Sequence, residues 1–412
     1  MINSKKTYWI LSGAFFSFFL CWSFSFSLFP IWLSQHVGLT GEMIGIIFSC
    51  NAIAALFVMP CYGYLQDKLV LRKNLLIFIA LLLLAVGPFF IFVYSPLLLS
   101  HFYAAAILGG LFFALAFGAA IGVLESYVER VARTSGFEFG RARMWGSLGW
   151  AVATFCAGYL FNKGPDINFW LASLSACVFI VLIFSLALSQ TDQIVKNINE
   201  EHDEKFDLKL VLSLLFMREF WAFVIFVMGV TCVYSVYDQQ FPVYFASMFE
   251  NQQDGNATYG YLNSFQVFLE AGGMFLAPLL VIKIGAKNSL ILSGLIMALR
   301  IIGSGYADDT ITISLMKLLH AVELPIMLVA IFKYITQIFD ARMSATLYIV
   351  GFQFSTQIMA SGLSIFAGMM YDNLGFPLSY KILGGVVLFF TIVSYFLLSS
   401  TQDVLNKQST AQ

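Results

Sequence analysis

The chain is predicted to be an all-α polytopic membrane protein with twelve transmembrane helices in two six-helix halves. Three observations predict this. Of its 412 residues 60% are hydrophobic and only 11% charged, whereas soluble domains carry about 25% charged residues. Apolar runs of about 20 residues, enough to cross the hydrocarbon of a bilayer, recur from end to end. One long hydrophilic stretch, TDQIVKNINEEHDEKFD (191–207), divides those runs six and six.

Taken in order, the first run (8–34) is too long for a signal-peptide core and has no convincing cleavage site, so it is a retained helix. The second (43–66) ends at the basic hairpin DKLVLRKN, and the third (74–96) follows it. The fourth (101–127) runs into the charged segment ERVARTSGFEFGRAR, which the fifth (142–162) leaves. The NKGPDIN turn introduces the sixth (168–189). In the second half the runs are 219–247, 258–282, 288–306, 311–337, 344–369 and 378–400, set apart by polar or Gly/Pro-marked breaks. The domains are therefore 1–190, a cytoplasmic linker 191–217, 218–402 and a cytoplasmic tail 403–412.

Lys and Arg orient the chain, because cytoplasmic loops carry their excess. With both termini inside, the inner loops receive the clusters around Lys5, Lys68, Arg72, Arg130, Arg141, Lys205, Lys283, Lys333 and Lys407. The outer loops keep only Lys163 and Lys381. The six cysteines lie within apolar runs without CxxC pairing, which suggests free thiols and neither a disulfide framework nor a metal site. No nucleotide-binding glycine loop or nucleophile elbow is present, so an enzyme is not expected; nor are a cofactor or a nucleic-acid partner. A faint repeat, DKLVLRKNLL after the second span and IKIGAKNSLI after the eighth, fits paired halves that rock around a central site.

The ionisable residues inside the spans need a reason, since a charge at the bilayer centre costs roughly 2.5–3.5 kcal/mol on insertion scales. The second half holds Asp238, Glu270, Arg300, Lys317, His320 and Glu323. On a helix Lys317, His320 and Glu323 spread over about 120° of one face, which must look into protein or water. Lys317 and Asp238 suit a structural charge pair, while His320 and Glu323 suit proton exchange. In the first half Glu125 and Glu129 are four apart, and Arg143 lies just inside the next span. An Arg beside a carboxylate offers fixed donors and acceptors for sugar hydroxyls; Glu129 and Arg141 read instead as a cytoplasmic-end ion pair. Trp150 follows the small residues Gly146, Ser147 and Gly149, a gap beside which an indole can stack on a sugar ring.

These motifs resemble the oligosaccharide:proton symporters of the major facilitator superfamily, the lactose, raffinose and sucrose permeases. The resemblance runs from about Tyr8 to Ser400 and is carried by FEFGRARMWGSLGWA, YDQQF, KLLHAVELP, FKYIT and SATLYIVGFQF. GYLQDKLVLRK (63–73) is similar to the superfamily's gating-loop signature, with Gly63 and Asp67 in place and Val70 where a glycine is usual. The resemblance implies the major facilitator fold, in a bacterial cytoplasmic (inner) membrane and acting as a monomer. It implies that Glu125, Arg143 and Trp150 bind sugar. It also implies that Glu323, His320, Arg300 and Tyr234 couple the proton, and that Asp238 and Lys317 pair.

Several positions depart from the family. A second charge pair of the lactose permease falls at Ser235 and Thr356, uncharged together here, so no orphan charge is left. The galactoside-binding glutamate of span 8 falls at Val267, with Glu270 three residues on as its replacement. Gly118 stands in place of an asparagine. YGYLNSFQVFLEA and INFWLASL are close to the sucrose permease, whereas Trp150 follows the galactoside carriers. The expectation is a proton-coupled disaccharide symporter, sucrose first and lactose or an α-galactoside (melibiose, raffinose) second. A sugar sensor or a channel on the same fold is the rival from another class.

Overall fold

The computed structural model describes residues 4–69, 72–186, 213–339 and 343–400, and among them the only regular structure is helical. The linker expected at 191–217 lies, up to residue 212, outside the described residues, as does the tail 403–412. The spans follow the apolar runs to within a few residues. They are α1 (Lys5–Val37), α2 (Gly41–Gln66), α3 (Asn74–Leu84 and Val86–Ser100, bent by 45°) and α4 (Phe102–Ser135). Next come α5 (Phe139–Lys163) and α6 (Ile167–Ser185), then α7 (Arg218–Ser247), α8 (Gln252–Ile284), α9 (Ala286–Tyr306) and α10 (Thr310–Ile338). The last helix, Tyr348–Leu397, breaks at Gly375, giving α11 (348–374) and α12 (376–397). Gly375 has φ 76°, a left-handed conformation that glycine takes without strain, and Pro377 starts the helix that follows.

The described residues form two compact units. The first comprises those within 1–40, 46–205 and 249–265. In it α1 packs along α5 and α6, and the approach to α5 is close because small residues face it. A Cβ at Gly146 would strike the Phe19 ring, and one at Gly149 would run into the Phe16 backbone. The start of α8 belongs to this unit; its Asn256 donates to Gln35 Oε1 (2.9 Å) and to Asn162 Oδ1 (3.2 Å).

The second unit comprises the described residues within 41–45, 206–248 and 266–412. Here the Asp372 carboxylate accepts from the N–H groups of Gly41 (2.7 Å) and Glu42 (2.8 Å), two of the donors a helix start leaves open. α10 is interrupted at Leu319, between Lys317 and His320. Pro325 follows in the second segment, where it has no N–H to donate to the Ala321 carbonyl. Gly273 of α8 lies against that bend, since a Cβ there would meet Ala321 O at 2.6 Å and Pro325 Cγ at 3.0 Å.

Candidate functional site

Among the described residues, each unit gathers charged side chains within its spans. In the first, α4 runs through a widened π-type turn at Ala114–Gly118 before it presents Glu125, a distortion that often marks functional sites. Arg143 Nε, on α5, donates to Glu125 Oε1 at 2.6 Å, and both side chains keep about a third of their surface exposed (30% and 37%). The guanidinium lies over the Phe19 ring of α1 at 4.3 Å. Two turns along α5 is Trp150, whose carbonyl accepts from Ser23 Oγ at 3.0 Å. Fixed donors, fixed acceptors and an aromatic face thus occur together, the combination a sugar ring requires.

The second cluster is centred on Arg300 of α9, whose side chain is completely buried. Its Nη2 donates to Asp238 Oδ1 at 2.6 Å and its Nη1 to Glu323 Oε1 at 2.7 Å. His320 Nδ1 is 3.3 Å from Nη1 and 3.4 Å from Glu323 Oε1. Tyr234 Oη shares a hydrogen bond with His320 Nδ1, and the two rings stack at 23°. Lys317 Nζ lies 3.8 Å from the same Asp238 oxygen that Arg300 holds. Two cations and two carboxylates make the set neutral when both acids are ionised. Glu323 Oε2 is buried and accepts no hydrogen bond among the described residues.

A family model described as the LacY proton/sugar symporter matches residues 1–410. The chain belongs to that family. The symporter is 43% identical to the raffinose permease of Escherichia coli over 98% of this chain and 97% of that protein. It is 42% identical to the melibiose permease of Enterobacter cloacae, over 98% of this chain and 95% of the other. To the sucrose permease of Escherichia coli it is 40% identical, over 98% and 96%. Among solved structures, the nucleoside transporter NupG superposes with a TM-score of 0.80 at 15% identity, covering 95% of this chain and 98% of that one. The fold is the major facilitator fold, and the molecule is a multi-pass membrane protein that carries sugar and protons and is not an enzyme.

The structure brings Glu125 to Arg143, and gathers Asp238, Arg300, Lys317, His320, Glu323 and Tyr234. Asp238 is not a private partner of Lys317; Arg300 is nearer to it. Glu270 is half-buried on α8, and its charge reaches Lys317. Gly63 lies within α2 where a Cβ would meet nothing, and the Asp67 side chain lies outside the described residues. The expected pairing of Glu129 with Arg141 does not form. Glu129 bonds Arg133 one turn along its own helix, and Arg141 lies 3.3 Å from Glu138, because local partners at helical spacing are reached first.

Sequence reasoning named Tyr234 but missed Tyr237 and Phe241, which complete an aromatic wall with it. Tyr234, Tyr237 and Phe241 put ring faces 5.2, 5.1 and 5.9 Å from the Arg300 guanidinium. Their i, i+3, i+7 spacing in YSVYDQQF was the available signal. Tyr237 Oη also bonds Ser304 Oγ (2.8 Å), which donates to the Arg300 carbonyl (2.8 Å).

Proposed function

We propose that this symporter imports an oligosaccharide together with a proton, with the α-galactosides melibiose and raffinose ahead of sucrose. Glu125 and Arg143 bind sugar hydroxyls, Trp150 stacks on a ring, and Glu323 carries the proton. The observation that carries the coupling is the buried Glu323 carboxyl, one oxygen held by Arg300 and the other without a partner among the described residues. In this arrangement the Arg300–Glu323 bond fits the proton-free state. When a proton arrives, Arg300 gives up Glu323 Oε1 and keeps Asp238, and His320 and Tyr234, in contact with each other, receive or orient the proton.

Trp150 and the relatives named for raffinose and melibiose support the α-galactosides. Glu270 and the stretch YGYLNSFQVFLEA support sucrose as the second reading. The protein acts as a monomer, needs no cofactor beyond the proton, and has both termini in the cytoplasm.

The test is uptake of labelled melibiose, raffinose, sucrose, lactose and maltose by proteoliposomes, with and without an imposed proton gradient. Gradient-driven accumulation of melibiose or raffinose is expected. Ion conduction that ignores sugar would make the protein a channel, and binding without uptake would make it a sensor.

A further inference from the structure

α1 carries an aromatic stripe at helical spacing: Phe15, Phe18, Phe19, Trp22, Phe26 and Phe29. Phe15, Phe18 and Phe29 are almost completely buried. Trp22 stays half-buried in their midst. One turn earlier on the same helix, the guanidinium of Arg143 rests on Phe19. The Phe117 ring of α4 stacks beside the Trp22 indole (5.9 Å, 15°), and Trp150 stands at 81° to it with ring centroids 5.6 Å apart. Both tryptophans are half-buried. Next to Phe117 the wall recedes: a Cβ at Gly118 would meet only the Phe113 carbonyl at 3.8 Å, and one at Gly122 nothing within 4 Å. Gly118, Gly122 and Glu125 follow one another along one face of α4 at spacings of four and three residues.

Two half-buried indoles at right angles form a corner, and Trp150 shares α5 with Arg143 of the carboxylate–guanidinium pair. One sugar ring stacked on Trp150 uses one wall of it. A glycosidic bond sets the second ring at an angle to the first, and the wall at that angle is Trp22, one side of whose ring is taken by Phe117. We propose that Trp22 is a second stacking plate, which binds the other ring of an oligosaccharide bent at its glycosidic link. This rests on the proposal above that Glu125, Arg143 and Trp150 hold the first ring. It makes the two-ring sugar, and not a monosaccharide, the minimal good ligand.

The test compares one-ring and two-ring ligands on the purified full-length protein by equilibrium binding. Melibiose and sucrose are the two-ring probes; methyl α-galactoside and methyl α-glucoside are the one-ring probes. An aromatic plate of this size supports about a tenfold preference. Trp22→Leu is therefore expected to weaken binding of the preferred disaccharide about tenfold while changing the corresponding methyl glycoside less than about twofold. Trp22→Phe, which keeps an aromatic face, is expected to retain most of the disaccharide preference. Equal loss for one-ring and two-ring ligands in Trp22→Leu, or no loss for either, overturns the proposal. If Trp22→Leu does not fold, Trp22→Phe decides: loss of the preference despite a conserved ring and a native unfolding temperature also overturns it. Trp150→Leu separates the two readings. It should weaken both ligand classes, and normal binding of both would overturn the first-ring assignment itself.

Discussion

Asp238→Asn is expected to be more damaging than Lys317→Met, and the two together milder than Asp238→Asn alone. One oxygen of Asp238 is held by Arg300 at 2.6 Å and approached by Lys317 at 3.8 Å, and the two cations are 0% and 4% exposed. Unit charges about 4 Å apart attract by about 4 kcal/mol at an effective dielectric of 20, before desolvation. Removing Asp238 leaves two buried cations with Glu323 as the remaining carboxylate of the network, and breaking a buried pair in this way costs about 3–5 kcal/mol. Lys317→Met leaves Asp238 on Arg300, so its cost is closer to that of one charge-assisted contact, about 1–3 kcal/mol. The double variant restores one cation to one anion, and its coupling should be about 0.5–3 kcal/mol in the compensating direction. Thermal unfolding of the four proteins in one detergent, read as a double-mutant cycle, measures this. If Lys317→Met destabilises as much as Asp238→Asn, or the double variant is no better than Asp238→Asn, the carboxylate is not shared as drawn.

Glu125→Ala or Arg143→Ala should abolish sugar binding with the fold intact, since each strands its partner's charge at a cost of a few kcal/mol; normal affinity in equilibrium binding would remove both from the site. Glu270→Gln should reorder the disaccharides in the uptake panel, because a mid-span acid is usually functional; an unchanged ranking and rate would leave it a packing role. Glu323→Gln stands in for the permanently protonated acid, so sugar exchange across proteoliposomes should persist while gradient-driven accumulation is lost. Accumulation by that variant would move the proton site elsewhere, with Glu270 next.

The spans were legible because hydrocarbon thickness is written directly into run length; the break in α10 at Leu319 was not, since 311–337 reads as one unbroken apolar run. Contacts between helices were legible only where a residue type admits few alternatives. Glu125 has one cation of matching depth within the next span, so Arg143 could be named for it. Glu129 had Arg133 on its own helix, and a partner in the next helix loses to a partner one turn away. Arg300 was placed in the coupling group, but its hold on Asp238 depends on how α7 and α9 are rotated about their axes. Apolar periodicity fixes that only loosely in helices that are hydrophobic all round. Trp22 was hidden for a related reason: with 17% aromatic residues, one more ring on α1 carries no signal until its angle to Trp150 is known.

The rotation that hid Arg300 also bears on the proposed coupling. Arg300 and Lys317 are matched by Asp238 and Glu323 among the ion pairs of the described residues, with Glu270 within electrostatic reach of Lys317. On the proposed role of Glu323, a proton there removes one of the carboxylates that offset two buried cations, which disfavours the arrangement unless the surroundings change. On that proposal, electrostatics links uptake of the proton to rearrangement of this unit, and Asp238, shared by both cations, sets the size of the penalty.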